Sequence, residues 1–461
     1  MTWKPLTSVS QSIRKIHVRR LTVAISILFT FAATQAFAAG YGLKEHSADA
    51  MSAAYAGAAA TDSDASYLAY NPAALAGVKD TDFTISMVVI LPGSRGHYTT
   101  ALTSAGTPTG GGVQPAGYIS GALVPAFAVR HRLSSQWAVG LIVDAPWGLR
   151  TDYKAGWAGR YYGMKSALLT IDATPTISWQ PTSGVELGAG LQIEYAQATL
   201  TSAIDTGTLG AVNGIPGSIP GAQDSFARLS GKNWSFGFTA GAIVRLTDNL
   251  TAGAAYHSTV KHDLQGPLTF TLDSAGVGAT IRALTGAFTN TRATAPLPMP
   301  DVVNFGLRDQ LSDDWTAMIE ADWLHWGRFR DLTITAVNPA QPPDVTTANW
   351  DDTFFGSIGA EYHANRRWTF RGGVAYDQTP VPDATREARI PDSDRFWLSA
   401  GVRYRMTDQF DVNLTYSRLF SPTVKVALNP SIPGAALRGT LAGTTDFYVN
   451  CIGFQLSYKP D

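Results

Sequence analysis

The chain has 461 residues and 35 basic against 36 acidic side chains, and this near-zero net charge gives no indication of a nucleic-acid or strongly charged partner. Hydrophobic residues make up 45% of it and charged residues 15%, which fits neither a bundle of membrane helices nor an ordinary soluble enzyme. The one cysteine, Cys451, excludes an intrachain disulfide and a cysteine-based metal site, and we expect no metal or cofactor.

The first 38 residues have the three parts of a secretory signal peptide. An apolar stretch covers residues 21–34, and a small-x-small cleavage site follows at residues 36–38. The basic part before them contains Arg14, Lys15, Arg19 and Arg20. An uncleaved anchor helix is the alternative, but small residues follow the apolar stretch too early for one. The mature chain is therefore predicted to begin at Ala39 and to be exported.

Residues 39–79 form a separate segment, which we call the hatch segment. They are rich in Ala, Ser and Asp and lack the two-residue alternation of strands. Small residues such as those at 51–57 permit short helices and close packing. Two interpretations are open: a disordered periplasmic tail, or a plug inside the lumen of a barrel.

Within residues 80–461, several stretches alternate between apolar and polar positions with a period of two. In residues 185–195 the odd positions are apolar, and in residues 410–416 the even positions are. This pattern predicts strands with one apolar and one polar face. No later run of about 18 apolar residues occurs, so any membrane crossing must use strands. The strands are longer than the roughly 5–6 residues usual in a soluble sandwich, which favours a membrane barrel.

Short and long connections alternate along these strands, as in outer-membrane barrels. Long stretches rich in Gly, Pro and Thr occupy residues 92–119, 201–231 and 264–298. Tight turns are predicted at residues 133–136, 181–184, 246–249, 311–314, 364–367 and 406–409. Aromatic residues stand beside these turns, as in an interfacial girdle: Trp137, Trp179, Trp315, Trp368 and Phe410. The sequence therefore predicts an all-β fold, a transmembrane antiparallel up-and-down β-barrel of about 14 strands with both termini in the periplasm.

Five stretches resemble, in the same order, one family of outer-membrane proteins. They are residues 39–43, residues 62–65 with Asn71, Pro72 and Ala73, residues 144–149, residues 323–329, and residues 380–382 with 390–401. The last of these is the most specific. The family is that of the long-chain fatty acid transporters and toluene/xylene uptake proteins, and the resemblance covers nearly the whole mature chain.

The resemblance implies a fourteen-strand barrel whose hatch segment folds into the lumen, with Asn71, Pro72 and Ala73 as the hatch motif. It also implies that the third strand bends inward and opens a gap in the wall. Gly148 falls at the bend and Pro146 lies two residues before it. Without the resemblance, Gly148 would be interpreted as an ordinary turn residue.

The function implied is passive transport of hydrophobic compounds, above all long-chain fatty acids, by capture in the barrel and lateral release through the gap. Neutral or aromatic hydrocarbons are alternative substrates. A general porin is a further alternative, but it would usually show a charged constriction and needs no hatch. The last alternative is an outer-membrane enzyme. The sequence shows no convergent set of acid, base and nucleophile, so we expect no enzymatic activity.

A fatty acid headgroup requires a basic partner. The resemblance implies an arginine near the end of the fifth strand and a lysine before the tenth, but Ser202, Asp351 and Asp352 occupy those positions. The alternative candidates, which alternation predicts to face the lumen, are Lys261, Arg308, Arg371 and Arg403. Hydrated lumen residues are the more ordinary interpretation of all four. The sequence therefore predicts weak discrimination between ionised and neutral ligands.

The expected location is the outer membrane of a Gram-negative bacterium. The expected partners are hydrophobic small molecules, outer-membrane lipid and lipopolysaccharide, with no nucleic acid, and the chain is expected to be a monomer. Phe454, Leu456 and Tyr458 resemble the C-terminal motif bound by the barrel-assembly machinery, although three residues follow it here. A phage-receptor or adhesin role for the long loops stays open.

Overall fold

The computed structural model describes residues 40–75 and 77–460. The predicted signal peptide and its cleavage site lie outside these residues. Within the described part, no helix is long and apolar enough to cross a membrane.

The described part of the chain contains twenty strands. They are β1 (Thr81–Leu102), β2 (Ala122–Arg132), β3 (Trp137–Asp144), β4 (Gly148–Asp152), β5 (Lys165–Thr182), β6 (Val185–Asp205), β7 (Asp224–Arg245), β8 (Leu250–His257), β9 (Lys261–Thr271), β10 (Thr291–Pro298), β11 (Val302–Gln310), β12 (Trp315–Leu324), β13 (Asp331–Ala336), β14 (Asp344–Thr347), β15 (Thr353–His363), β16 (Trp368–Asp377), β17 (Arg395–Arg405), β18 (Phe410–Phe420), β19 (Val424–Leu428) and β20 (Thr440–Tyr458). The α-helices are α1 (Ala48–Met51), α2 (Thr206–Val212) and α3 (Val277–Thr285), and single 3-10 turns cover Ala58–Ala60, Ala65–Ala69, Pro72–Leu75 and Trp326–Arg328.

Fourteen antiparallel pairings close the sheet into a barrel. The order around the wall is β1, β2, β3, β5, β6, β7, β8, β11, β12, β15, β16, β17, β18 and β20, and β20 pairs again with β1. After interruptions, β4 continues β3 and β9 continues β8, and β10 leads into β11. The predicted fourteen-strand barrel is therefore confirmed.

The aromatic residues beside the tight turns lie at one rim of the barrel. They form cross-strand pairs with rings on the exposed face: Trp137 with Trp179, Trp315 with Tyr362, Trp368 with Tyr404, and Phe410 with Tyr458. Such rings sit at the boundary between lipid and water. Because outer-membrane barrels place short turns in the periplasm and longer loops outside, we assign this rim to the periplasmic end and the long connections to the extracellular end.

The long connections contain more strand than the sequence predicts. Parts of β1, β6, β7, β9 and β10 run through the stretches predicted as loops, residues 92–119, 201–231 and 264–298. In β9 the side chains of Lys261 and Asp263 are exposed, whereas those of Leu264 and Leu268 are buried. Above the bilayer the outer face of the wall meets water, so the lipid-facing apolar pattern that marks a strand in the sequence is lost.

The hatch segment lies against the inner face of the wall, and of the described residues 40–75 none is exposed. Asn71 Nδ2 donates to the carbonyl oxygens of Ala59 at 2.7 Å and, on β7, Ala242 at 3.0 Å. Wall glycines allow this close approach. A Cβ on Gly188 would lie 2.3 Å from the Pro72 carbonyl carbon, and one on Gly253 would lie 1.9 Å from the Ala59 oxygen.

Candidate functional site

A cavity of about 830 Å³ lies inside the extracellular part of the barrel. Its lining is mostly apolar and includes Leu200, Leu229, Leu268, Phe270 and Ile281. β6, β7 and β9 supply part of this surface, and the rest comes from helices α2 and α3 and from loop residues, among them residues 340–343 and 436–438. Its volume lies within the range of about 300–1,000 Å³ usual for small-molecule sites. The cavity is therefore large enough and apolar enough for a hydrophobic small molecule.

The wall is interrupted where β3 ends and β4 begins. Pairing between β2 and β3 stops at Phe127 and Val143, although β2 goes on pairing with β1 up to Ala122. Pro146, which has no N–H to donate to a ladder, lies in the interruption, and Gly148 is the first residue of β4. In the part of the chain that the structure describes, the ladder between β2 and the third strand does not continue beyond Phe127, and we call this break in the wall the opening.

The interrupted strand bonds to the hatch segment instead of to β2. Leu43 N donates to Pro146 O at 2.8 Å, and Gly148 N donates to Tyr41 O at 2.8 Å. A second, small cavity of about 100 Å³ adjoins this contact, lined among others by His46 and Trp147. The break in the wall and the start of the hatch segment therefore form one hydrogen-bonded unit.

Ion pairs fix the centre of the hatch segment to the wall. Asp49 pairs with Arg371 of β16 and, at 3.2 Å, with Arg403 of β17, and Tyr67 donates to it at 2.7 Å. Burial alone would raise the pKa of Asp49, but the two guanidinium groups outweigh it and hold the pKa below its usual range. Arg403 also lies 3.6 Å from Asp64. In these pairs the hatch segment supplies the carboxylates and the wall supplies the cations.

These contacts bear on the four predicted headgroup partners. Arg308, Arg371 and Arg403 do face the lumen, but each already pairs with a carboxylate of the protein, Glu361 in the case of Arg308 at 2.5 Å. Lys261 does not face the lumen as predicted. It is exposed, and the inward position next to it is taken by His262, which is buried against Glu194 at 2.7 Å. Polar residues point outward at this height because the wall there is in water.

His46 connects the hatch segment to the end of β3, since its Nδ1 lies 3.0 Å from Asp144 Oδ2. Burial alone would lower the pKa of His46, but Asp144 and Glu45 outweigh burial and the repulsion of Lys44, so the pKa is raised. Because the pKa of His46 is raised in the folded state, protonated His46 stabilises the contact fully at pH values below its ordinary pKa of about 6.5. This stabilisation is lost as the pH rises through the pKa of the folded state.

We therefore expect backbone hydrogen exchange in residues 43–48 to be less protected at about pH 9 than at about pH 6, after correction for the intrinsic rate. A His46→Asn variant should lose this difference. Equal protection at both pH values in the wild type would contradict the assignment of the His46–Asp144 contact.

A family model described as "Outer membrane protein transport protein (OMPP1/FadL/TodX)" matches residues 29–459. The chain belongs to this family. The Long-chain fatty acid transport protein of Escherichia coli K12 is 26% identical over 430 residues, which cover 88% of this chain and 93% of that protein. Outer membrane protein P1 of Haemophilus influenzae strain Rd is 25% identical over 455 residues, covering 93% and 96%. The predicted family and the outer-membrane location are confirmed.

Solved structures share the fold. A Pseudomonas aeruginosa FadL homologue superposes with a TM-score of 0.82 at 24% identity, covering 91% of this chain and all of that one. The Pseudomonas putida toluene transporter TodX gives 0.68 at 18% identity, covering 92% and 100%. The barrel and its small helical N-terminal region are thus those of this family.

The sequence analysis did not single out the apolar lining of the cavity or its basic residues, of which Arg389 is one. Arg389 lines the cavity of 830 Å³, together with Ser202. It stands directly before Ile390-Pro391, within the stretch that most resembles the family, but no periodicity tells where a loop side chain points. The proximity of Arg389 to strand ends far away in sequence is visible only in the fold.

Proposed function

We propose that this protein carries hydrophobic molecules across the outer membrane, from the cavity among the extracellular loops to the opening between β2 and the interrupted third strand. The observation that carries the proposal is that opening, whose far edge bonds to the hatch segment at Tyr41 and Leu43. A wall that is open at membrane height offers an apolar molecule an exit into lipid. A water-filled porin offers no such exit.

The hatch segment would act as the gate. Burying an acyl chain gains about 0.8 kcal/mol per methylene, so release is harder than capture for a long chain. A segment with two arrangements of different affinity can supply release. Asn71, Pro72 and Ala73 would seat it on the wall, and Pro146 and Gly148 would keep the opening. The domain division proposed is a signal peptide at 1–38, the hatch segment at 39–79 and the barrel at 80–461.

Two substrate classes are in question. The Escherichia coli relative is named for long-chain fatty acids and the Pseudomonas putida structure for toluene. Long-chain fatty acids are the proposed class, because the cavity has a volume of about 830 Å³ and a mostly apolar lining, and neutral hydrocarbons are the alternative. We propose a transport role without catalysis, a monomer, lipopolysaccharide and lipid as surroundings, and the barrel-assembly machinery as a partner in biogenesis.

Binding tests this proposal directly. Purified protein in detergent is titrated with palmitate and, separately, with its neutral methyl ester, and complexes are counted by native mass spectrometry. We expect saturable binding of at least one of them, at one to two molecules per chain. If neither binds above the level seen with an unrelated outer-membrane porin, the proposed capture site is wrong.

A further inference from the structure

Arg389 reaches the cavity from the loop between β16 and β17. Thr151, which follows the wall break on β4, donates through Oγ1 to the Arg389 carbonyl oxygen at 3.1 Å. Tyr153 donates through its hydroxyl to the carbonyl oxygen of Ala388 at 2.8 Å. The backbone of Arg389 is therefore fixed to the segment beyond the break, and its side chain extends along the tops of β5 and β6.

Among the described residues, the hydrogen-bond acceptors of the Arg389 guanidinium group are all neutral. Its Nη1 donates to Lys165 O at 3.3 Å, Ser166 Oγ at 3.1 Å and Thr201 O at 3.2 Å. In residues 40–75 and 77–460 no carboxylate lies within ion-pair distance of it, whereas Arg438 in the same cavity pairs with Asp344 at 2.6 Å and Glu387 at 3.1 Å. Arg389 thus differs from the paired lumen arginines Arg308, Arg371 and Arg403.

The surroundings of Arg389 disfavour the positive charge of its guanidinium group. Burial lowers the pKa of Arg389, Glu387 opposes this effect in part, and Arg438 lowers the pKa further. A charge beside an apolar cavity is stabilised when an anion arrives to pair with it. A guanidinium group is also suited to carboxylates, because its parallel N–H groups can bind both oxygens.

We propose that Arg389 binds the carboxylate of an ionised long-chain ligand whose acyl chain lies along Leu229, Leu268 and Phe270. The inference rests on the proposed function and names its substrate class. Arg389 bonds to Thr201, next to Ser202, where the sequence comparison expects a basic residue on the strand itself. A loop therefore supplies the cation that β6 lacks, and the expected indifference between ionised and neutral ligands is replaced by a preference for carboxylates.

The test compares Kd values for palmitate and its methyl ester in three variants, each checked by its migration on an unheated gel. Arg389→Gln should weaken palmitate binding by roughly 10-fold or more, the usual effect of a hydrogen bond to a charged group, and leave the ester unchanged. Arg389→Lys should restore much of the palmitate affinity. The matched control is Arg228→Gln, because Arg228 is exposed while its neighbours Ala227 and Leu229 line the cavity.

The outcomes separate this inference from the proposed function. If palmitate and ester both bind but Arg389→Gln weakens neither, or both equally, the carboxylate contact is wrong and the capture site stands. If neither binds to the wild type, the proposed function fails first. If Arg389→Gln does not fold, equal affinity of folded Arg389→Lys for palmitate and ester would overturn the assignment.

Discussion

Replacement of Asp49 by Asn should release the hatch segment from the wall while the barrel stays closed. Asp49 is fully buried and pairs with the buried Arg371 and the partly buried Arg403, so the change leaves both guanidinium groups with less compensating negative charge. Breaking a buried ion pair on one side costs about 3–5 kcal/mol. Each 1.4 kcal/mol changes the equilibrium constant for local opening tenfold. Exchange of the backbone amides in residues 40–75 should therefore speed up by roughly 100-fold or more.

Hydrogen exchange followed by mass spectrometry measures this effect peptide by peptide. The control variant is Asp248→Asn in an exposed periplasmic turn, which removes the same charge without touching the hatch segment. Peptides from β16 and β17 should keep their protection in both variants. Unchanged exchange across residues 40–75 in Asp49→Asn would show that the hatch segment is held by packing rather than by these ion pairs.

The second large effect concerns the break in the wall. Gly148 is buried at the start of β4 and donates to Tyr41 O, so we expect a branched side chain there to disturb this hatch contact. We expect Gly148→Val to lower palmitate uptake by cells at least roughly 10-fold, because a shift of little more than 1.4 kcal/mol in the transport-competent arrangement suffices. Surface amount and unheated gel migration should stay at the wild-type level.

Gly356→Val is the matched control for this variant. Gly356 lies on β15 and is exposed, and a Cβ built on it would have no heavy atom of the described residues within 4 Å. Its uptake should equal that of the wild type. Wild-type uptake in Gly148→Val, with the barrel present at the surface, would place the exit elsewhere.

The membrane-spanning part of the fold was predictable because lipid imposes a simple rule on it: side chains on the outer face are apolar, so apolar and polar residues alternate along each strand. The six tight turns and the aromatic residues beside them fixed the strand number. The rule fails above the bilayer, where Lys261 points outward and the wall continues as long hairpins predicted as loops. The two sides of a wall in water differ less in polarity than the two sides of a wall in lipid.

The candidate site was predictable only where backbone chemistry marks it. Pro146 and Gly148 stand out because a strand cannot continue through proline and bends easily at glycine. The pairing of Asp49 with Arg371 joins residues far apart in sequence, and alternation could place Arg371 in the lumen but could not name its partner. Arg389 shows the same limit, since it depends on how a loop folds back over β5 and β6.

One measurement tests the central claim most directly: uptake of labelled palmitate by cells that lack their own fatty acid transporter and carry this protein in the outer membrane. A small hydrophilic sugar is followed in parallel. The account predicts saturable palmitate uptake well above that of cells with the empty vector, and no gain for the sugar. Sugar entry that rises while palmitate uptake stays at the background level would contradict it and identify a water-filled pore instead.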